Sequence, residues 1–321
     1  MVRRRGSAFA VTTAALILLA ALALVPTPFY LISPGTAVDL SKRIAVEGRV
    51  PLRRHFYLTD VTVTHATALL LAAGLWPGTR VVHRRVLVPD GVTAHDYDRI
   101  MTIAMDDSQQ IAAYVAERAA GLRVSAPSRT VIVASLAPNS RAAGLLHVGD
   151  RLIRIGGHAV YAPSDVSSAV RILAPGVSAN LEIEHDGRVA RLRVPTILAD
   201  GHTRLGVFLN QRGTTPPLPV PVHFSLDDVE GSSGGLMFAL AIYAELTGDR
   251  SGPSAIAGTG TLDADGNVGP IEGAPQKLIA AKRAGANVFL VPRPNYPDVA
   301  NERDIVVIPV DTFSQALAAL R

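Results

Sequence analysis

Apolar and polar positions divide the chain into segments of different periodicity. After three arginines, an uncharged stretch runs from residue 6 to residue 38, and its apolar centre spans about residues 8–25. A helix of that length can cross a hydrocarbon core of about 30 Å. The arginines before it and Asp39 after it predict a cytoplasmic amino terminus. We therefore predict a cytoplasmic tip and transmembrane anchor over residues 1–28.

A cleaved signal peptide is the alternative for this stretch, because Ala21 and Ala23 form a weak A-x-A cleavage pattern. The length of the apolar run favours a retained helix. Both alternatives export the rest of the chain. We therefore expect a single-pass protein of the cytoplasmic membrane, with the bulk of the chain extracytoplasmic.

Residues 29–120 are predicted to form an exported α/β region. Within it, residues 36–64 alternate in the manner of strands, and residues 93–120 have the pattern of one or two helices. Asp106, Asp107 and Ser108 are typical of a helix start, and capping is a simpler function for the two carboxylates than metal binding. We see no catalytic arrangement here and predict no metal site.

Residues 121–199 alternate short strands with glycine and proline turns, and a hairpin is predicted with Asp186–Gly187 at its turn. The run SRAAGLLHVGDRLIRIGG within them closely resembles bacterial protease-associated PDZ domains. The resemblance implies that an extended peptide is captured by strand addition, with its chain end held by backbone amides. Gly121 and Leu122 are the residues expected to form that loop. The alternative is a PDZ fold that binds no peptide and only packs against the rest of the protein or controls access to it, because a fold does not fix a function.

Residues 200–321 alternate strands with helices, as in an α/β or α+β domain. The segment GGLMFALAIYAELTG predicts a helix that stops at Gly248, and AIAGTGTLDADGNVGPI predicts a hairpin. A second helix, GAPQKLIAAKRAG, precedes a buried strand. The predicted fold class is thus α+β multidomain, with an N-terminal transmembrane helix and three exported parts.

The segment GSSGG, residues 231–235, separates a predicted strand from an apolar helix. Small residues let a backbone approach closely, and amides at a helix start can stabilise a negative oxygen. A serine at this junction can be a nucleophile beside its own oxyanion hole. Local sequence by itself favours the simpler function, in which Ser232 or Ser233 caps the helix.

Lysine is rare in this chain. Of the 31 basic residues, only Lys42, Lys277 and Lys282 are lysines. Arginine keeps its proton in proteins, whereas a desolvated lysine can lose it. Lys277 lies in the first turns of an apolar helix, where the helix dipole and the apolar neighbours both lower its pKa toward that of a general base. A surface lysine is the commoner alternative, and Lys282 fits it better.

Residues 222–297 resemble, segment after segment, the proteolytic domain of Lon-type proteases, which carry a Ser-Lys dyad. GSSGG matches a G-x-S-x-G element, and the following helix ends in LTG as in that family. GTGTLDADGNVGPIEG and KLIAAKRAG then follow in the family's order. The resemblance implies that Ser233 is the nucleophile and Lys277 the general base. It also implies that Gly231, Ser232 and Gly234 shape the oxyanion and substrate-binding site.

Several positions depart from the Lon-type pattern. Ser232 stands where the family usually has proline, Gly234 replaces an alanine, and two residues are inserted between residues 263 and 266. Ala257 takes the place of a threonine that hydrogen-bonds near the family's lysine, and Thr259 is close enough to substitute for it. These departures leave both members of the dyad in place.

The expected function is an ATP-independent serine endopeptidase of the cell envelope that cleaves unfolded or flexible proteins, with the PDZ domain selecting or gating peptides. The printed sequence holds no G-x-x-x-x-G-K-[ST] loop, so we expect neither ATP nor another cofactor. The net charge of +4 is spread along the chain, which predicts no nucleic-acid partner. The layout resembles that of bacterial PDZ-containing Lon-like envelope proteases, and Lon-type domains form hexameric rings, a state carried over as an expectation.

Two other functions stay open at this point. The chain could be an inactive scaffold that binds envelope proteins through its PDZ domain. It could also be a Ser-His-Asp hydrolase that uses His223 or His202, although His223 belongs to a strand-like run typical of a structural histidine.

Overall fold

The computed structural model describes most of the chain and contains all the elements on which the site depends. Its described residues are 13, 19–49, 54–73, 77–87, 94–137, 140–160, 163–199, 201–214, 216–226, 231–249 and 251–321. The strands are β1 (Pro26–Asp39), β2 (Ile44–Val46), β3 (His55–Thr67), β4 (Arg80–His83), β5 (Ser128–Leu136), β6 (Arg151–Ile155), β7 (His158–Ala159), β8 (Ser178–His185), β9 (Arg188–Pro195), β10 (Ile197–Ala199), β11 (His202–Arg204), β12 (Val207–Thr214), β13 (Val222–Phe224), β14 (Ala255–Gly258), β15 (Thr261–Leu262), β16 (Val268–Gly269), β17 (Val288–Pro292) and β18 (Val306–Val310). The helices are α1 (Ala68–Ala73), α2 (Arg84–Leu87), α3 (Ala94–Ala119), α4 (Pro163–Arg171), α5 (Gly235–Thr247), α6 (Ala274–Arg283) and α7 (Phe313–Ala319), with 3₁₀ turns at Leu40–Lys42 and Arg293–Asp298.

A six-stranded mixed sheet, in the order β18-β17-β14-β3-β1-β4, forms the frame of the site. The strands from β18 to β3 run parallel to their neighbours, whereas β1 pairs antiparallel with both β3 and β4. Strand β17 is buried at every position, as expected for a parallel strand covered on both faces. The sheet therefore joins the amino-terminal hairpin to the carboxyl-terminal third of the chain.

The predicted transmembrane helix is a wrong prediction. The described residues contain no helix that is long and apolar enough to cross a membrane. Residues 19–24 are helical, but Pro26 already begins β1, whose backbone pairs with β3. Most of the predicted anchor falls on residues 1–12 and 14–18, which lie outside the described residues. The transmembrane part of the fold class, and the single-pass location derived from it, are corrected accordingly.

One face of the mixed sheet packs against the apolar helix α5, which is buried along almost its whole length. Such a helix has no polar face and must be covered on all sides. Helix α3 supplies part of that cover, with Met105 and Val115 in the same core. Because α3 is continuous from Ala94 to Ala119, the predicted helix start at residues 106–108 is wrong: these residues lie in its middle.

The second large sheet is antiparallel, in the order β12-β5-β6-β8-β9, and helix α4 packs on its core through Val166 and Val170. The predicted hairpin is confirmed, because β8 and β9 pair through a turn at Asp186 and Gly187. Both turn residues have positive φ, 47° and 74°, which is the geometry of a two-residue hairpin turn. Strands β5, β6, β8 and β9 of this sheet lie in the segment predicted to be a PDZ domain, whereas β12 lies beyond it.

Three strand pairings join segments on opposite sides of the predicted domain limits. From the predicted region 29–120, β3 pairs with β14 and β2 pairs with β13. Strand β12, beyond residue 200, pairs with β5. The division at residues 29, 121 and 200 stays a prediction. The pairings make the amino-terminal hairpin a structural part of the sheet that carries the candidate site.

Candidate active site

Ser233 lies in a turn that leads directly into helix α5. The turn is held to the neighbouring segment by two backbone bonds: Gly260 donates its N–H to the Ser233 carbonyl at 2.8 Å, and Leu236 donates to the Gly260 carbonyl at 3.1 Å. Ser233 is half-buried. Its backbone is therefore fixed on both sides, and its side chain remains partly open to the surface.

Close packing requires glycine at the last two positions of GSSGG, Gly234 and Gly235. A Cβ at Gly234 would lie 2.8 Å from the Phe238 ring, and a Cβ at Gly235 would lie 3.0 Å from both Leu262 and the Ser108 hydroxyl. Gly231 has a φ of 90°, a conformation that favours glycine. The turn can thus approach the core only because Gly234 and Gly235 lack side chains.

Lys277 comes from helix α6 and reaches the same turn. Its Nζ lies 2.8 Å from Ser233 Oγ and 3.1 Å from Thr259 Oγ1. The helix begins after Gly273, whose carbonyl accepts the Lys277 N–H, and Pro275 occupies its first turn. The structure thus brings the two predicted dyad residues into direct contact.

The Lys277 side chain is one of the few buried charged groups in the described residues, with only 3% of its surface exposed. Burial lowers the pKa of this amine from 10.5 to about 8, because an ammonium ion loses hydration in an apolar environment. The negative charge of Asp60 acts in the opposite direction and raises the same pKa. The net effect is a pKa of about 8 for this amine, well below that of an exposed lysine.

Thr259 bridges the two residues of the pair. Its side chain is fully buried, its Oγ1 accepts from Lys277 Nζ, and the same hydroxyl donates to the Ser233 carbonyl at 3.1 Å. The sequence had indicated Thr259 as a substitute for a threonine missing at Ala257. Its contacts fix the position of the amine relative to the serine.

Asp60 is a neighbour that the sequence did not indicate. It lies on β3, and its carboxylate accepts hydrogen bonds from the N–H and the hydroxyl of Thr36, at an irregularity in the β1–β3 pairing. A single sequence carries no signal for this proximity, because it arises when the amino-terminal hairpin joins the sheet beside β14.

Ser232 points to a different environment from that of Ser233. Its carbonyl accepts a hydrogen bond from Ser108 Oγ at 3.2 Å, and the residue lines a cavity of about 290 Å³. Helix α3 contributes Ile111 to the cavity wall, and the second sheet contributes Asn210. The cavity adjoins the candidate nucleophile, so a bound chain could occupy it.

Gly121 and Leu122, predicted to form a peptide-binding loop, lie elsewhere. Gly121 closes helix α3 with a φ of 84°, and Leu122 packs against the core around α5. A groove of about 310 Å³ lies instead between α4 and residues 202–209. The sequence signal for this groove is the RLGV run, residues 204–207, which enters β12 at Val207 and contains Gly206 with a φ of 77°.

The remaining candidates lie apart from the pair. Lys282 bonds to Glu302 at 3.0 Å and to Asp304 at 2.6 Å, and these two carboxylates raise its pKa. His223 lies exposed on β13, opposite Ala45, and His202 lies exposed on β11. The side chain that the structure places against Ser233 Oγ is Lys277, as the predicted dyad requires, and neither of these histidines.

One group of possible metal ligands occurs within the described residues. The side chains of His147, Asp150 and His185 place their ligand atoms within 4.8 Å of one another. The buried Asp150 carboxylate accepts a hydrogen bond from the His147 backbone at 2.8 Å and contacts His185 Nδ1 at 2.5 Å. Through these two bonds Asp150 joins the loop at His147 to the β8–β9 hairpin, which explains why the three side chains lie close together.

Comparison with known proteins identifies the segment around the Ser-Lys pair. Residues 222–319 match the family model of the Lon protease (S16) C-terminal proteolytic domain. The Lon protease of Campylobacter jejuni is 40% identical over 94 residues, which cover 27% of this chain and 12% of that protein. The archaeal Lon protease of Archaeoglobus fulgidus is 35% identical over 95 residues, covering 28% of this chain and 15% of that protein. The chain therefore spans a small part of the length of these relatives.

The second sheet has solved structures as neighbours. The PDZ domain of an SdrC-like protein from Listeria monocytogenes is 22% identical, with a TM-score of 0.24, and covers 25% of this chain and 85% of the neighbour. The corresponding domain from Listeria innocua is 21% identical with the same TM-score, covering 25% of this chain and 92% of the neighbour.

Proposed function

We propose that this chain, whose residues 222–319 belong to the Lon-type proteolytic domain family, is a serine endopeptidase with Ser233 as nucleophile and Lys277 as general base. The observation that carries the proposal is the 2.8 Å contact between Ser233 Oγ and a lysine amine that is almost fully buried. A nucleophile and a base within hydrogen-bond reach, with the base held by a third group, form the arrangement required for nucleophilic catalysis. Here Thr259 is the third group and acts as a positioning residue.

The reaction begins with neutral Lys277. As Ser233 Oγ attacks a peptide carbonyl carbon, Nζ takes the hydroxyl proton, and the carbonyl oxygen becomes an oxyanion. When the C–N bond breaks, the ammonium returns the proton to the leaving amine. Water then attacks the acyl ester and gives a proton to Nζ. As the bond between the carbonyl carbon and Ser233 Oγ breaks, Nζ passes this proton to Oγ, which releases the carboxyl product and regenerates the serine and the neutral amine.

The lowered pKa makes this base available at neutral pH. With a pKa of about 8, roughly one lysine in ten is neutral at pH 7, compared with roughly one in three thousand for a pKa of 10.5. Amides of the turn at Gly231, Ser232 and Gly234, beside the start of α5, are the proposed oxyanion donors.

Substrate selection is assigned to the second sheet. Its groove beside α4 suits an extended peptide, so we assign to the PDZ-like unit the selection of flexible or unfolded chains. The proposed activity is ATP-independent, because proton transfer between Ser233 and Lys277 suffices for acyl transfer to water without a nucleotide. A homo-oligomer of six subunits belongs to the same proposal on family grounds alone.

The test is the cleavage of an unfolded protein by the full chain, followed by labelling with a serine-directed phosphonate. We expect cleavage at pH 8, one label per chain, and peptide mapping of that label to Ser233. Ser233→Ala is expected to abolish both cleavage and labelling. The matched control is Ser251→Ala, an exposed serine bonded to Asp249, which is expected to leave both unchanged. Undiminished cleavage by Ser233→Ala would rule out the proposed nucleophile.

Asp60→Asn is expected to shift the pH dependence of activity. Activity requires neutral Lys277, so kcat/KM rises with pH through a value near 8, and the Asp60 charge raises that value. Removal of the charge therefore moves the rising limb to lower pH. Because Asp60 also bonds Thr36, the control is Thr36→Val, which loses the hydroxyl bond but keeps the charge. A limb that moves to higher pH, or an equal movement in both variants, would contradict the assignment.

A further inference from the structure

We propose that the PDZ-like unit binds one divalent transition-metal ion, of the zinc class, between the side chains of His147, Asp150 and His185. The ion would hold the loop before β6 against the β8–β9 hairpin. This inference is independent of the proposed protease activity, and its test does not use cleavage. Three observations carry it, namely a buried carboxylate, the spacing of three ligand atoms and a second carboxylate beside one of the histidines.

The first observation is that the Asp150 carboxylate is buried and faces two histidines. Only 1% of Asp150 is exposed. Its Oδ2 accepts the backbone N–H of His147 at 2.8 Å, and its Oδ1 lies 2.5 Å from Nδ1 of His185. A buried carboxylate needs a compensating partner, and a cation that both imidazole rings also bind supplies one.

The second observation is the spacing of the three ligand atoms, which all lie within 4.8 Å of one another. His147 Nδ1 is 3.9 Å from Asp150 Oδ2. In a tetrahedral zinc site with bonds of about 2.1 Å, neighbouring ligand atoms lie roughly 3.4 Å apart. Small rotations of the two rings therefore bring the three atoms to bonding distance of one ion.

Both histidine rings have room for this adjustment. Their side chains are 58% and 46% exposed, and the ring centres lie 4.8 Å apart. On binding, the ion takes the place of the proton between His185 Nδ1 and the Asp150 carboxylate, and that proton passes to water. The backbone of the loop is already fixed, because Asp150 donates its N–H to the His147 carbonyl at 3.1 Å.

The third observation concerns Asp186, the residue after His185. Its Oδ2 lies 3.6 Å from Nε2 of His185, which is the ring nitrogen left over when Nδ1 binds the ion. Metal-binding histidines almost always give their other N–H to a carboxylate, a carbonyl or water, which orients the ring and strengthens the ligand. The hairpin turn thus supplies the outer partner of the ligand that precedes it.

The chemistry of the three side chains selects the class of metal. Two imidazole nitrogens and one carboxylate oxygen suit zinc and its neighbours in the transition series, whereas calcium and magnesium prefer oxygen ligands. Because both rings are partly exposed, the fourth position of a tetrahedral ion is open to water. No sequence motif marks this set, because His147 and His185 lie in separate segments that only the fold brings together.

The test titrates the full chain, freed of metal by a chelator, with zinc chloride at pH 8 and follows the heat of binding. We expect one ion per chain, a dissociation constant in the micromolar range, and a Tm that rises with zinc concentration. Cobalt(II) in place of zinc should give the visible absorption bands of a tetrahedral site. Magnesium and calcium at the same concentrations should leave the Tm unchanged.

His147→Ala and His185→Ala are each expected to weaken zinc binding by about tenfold or more and to remove the rise in Tm. Both side chains are exposed, so circular dichroism of both variants should match that of the wild type. Asp186→Asn keeps all three ligands and should weaken binding by a smaller factor. The matched control is His158→Ala, which removes an exposed histidine of the same unit and is expected to retain wild-type binding.

Three results would overturn the inference. Zinc could bind equally tightly to a variant that lacks both His147 and His185, which would assign the binding to other groups. Calcium could bind as tightly as zinc, which would contradict the nitrogen ligands. The wild type could bind no zinc, which would leave the three side chains as a hydrogen-bonded link alone.

Discussion

Lys277→Met is expected to reduce kcat/KM for peptide hydrolysis by about 10³-fold or more, since a positioned base contributes that order of magnitude and members of a dyad act as a unit. Methionine has a similar length and suits the apolar pocket, so the fold and the position of Ser233 are expected to remain. The loss should appear mainly in kcat, because the amine acts on the reacting proton. The loss is measured by the rate of peptide cleavage and, independently, by the rate at which the phosphonate labels Ser233.

Lys282→Met is the matched control for this loss. It lies on the same helix, carries the same charge and bonds outward to Glu302 and Asp304. We expect wild-type kcat/KM from this variant within a factor of about two, because surface pairs contribute little. A Lys277→Met enzyme as active as Lys282→Met would show that another group removes the serine proton.

The same Lys277→Met substitution is expected to stabilise the protein at neutral pH. A pKa of 10.5 in the unfolded chain and about 8 in the folded chain corresponds to a cost of roughly 3 kcal/mol when a proton must be kept on the buried amine. Methionine removes this cost. The free energy of unfolding at pH 7 should therefore rise by a sizeable part of that amount, as measured by urea denaturation.

The sign of the pH dependence separates this effect from better packing. Below pH 8 both states hold the proton and the wild type bears the full cost. Between pH 8 and 10.5 the unfolded chain binds more protons than the folded chain, so wild-type stability increases with pH. The advantage of Lys277→Met should consequently shrink toward zero as pH rises to about 10.5. An advantage that stays constant over this range would assign it to packing.

The local part of the site was predictable because its signals are local. Helix α6 with its early proline, the glycine turn before α5 and the β15–β16 hairpin all follow from short runs of sequence. Local chemistry by itself favoured a capping serine, and the ordered Lon-type pattern selected Ser233 and Lys277. Their 2.8 Å contact agrees with that choice.

The long-range part could not be predicted from one sequence. Alternating apolar residues predict that a segment is a strand, but the same alternation is compatible with many partner strands. The pairing of β3 with β14, which brings Asp60 near Lys277, and the pairing of β12 with β5, which brings Asn210 to the cleft, leave no mark in either segment. For the same reason the sequence predicts a peptide-binding loop at Gly121 and Leu122, whereas Gly121 lies at the end of helix α3.

The transmembrane prediction failed for a different reason. The anchor was predicted from the apolar character of the stretch alone. The secondary structure also depends on where the backbone changes from helix to strand, and apolar character does not report that position. Pro26 starts a strand within what was predicted to be the end of the anchor, and the described helix before it covers only residues 19–24. Hydropathy takes no account of that change in backbone geometry.

The central position of β3 also bears on the order of events during synthesis. Thr59 donates to the carbonyl of Gly258 across 199 residues of chain, and β1 and β4 depend on β3 for their place in the sheet. A ribosome releases the amino-terminal hairpin long before the segments that pair with it, and such distant contacts form late. Ser233 and Lys277 can therefore come together within the completed sheet only after the carboxyl-terminal segments have been synthesised.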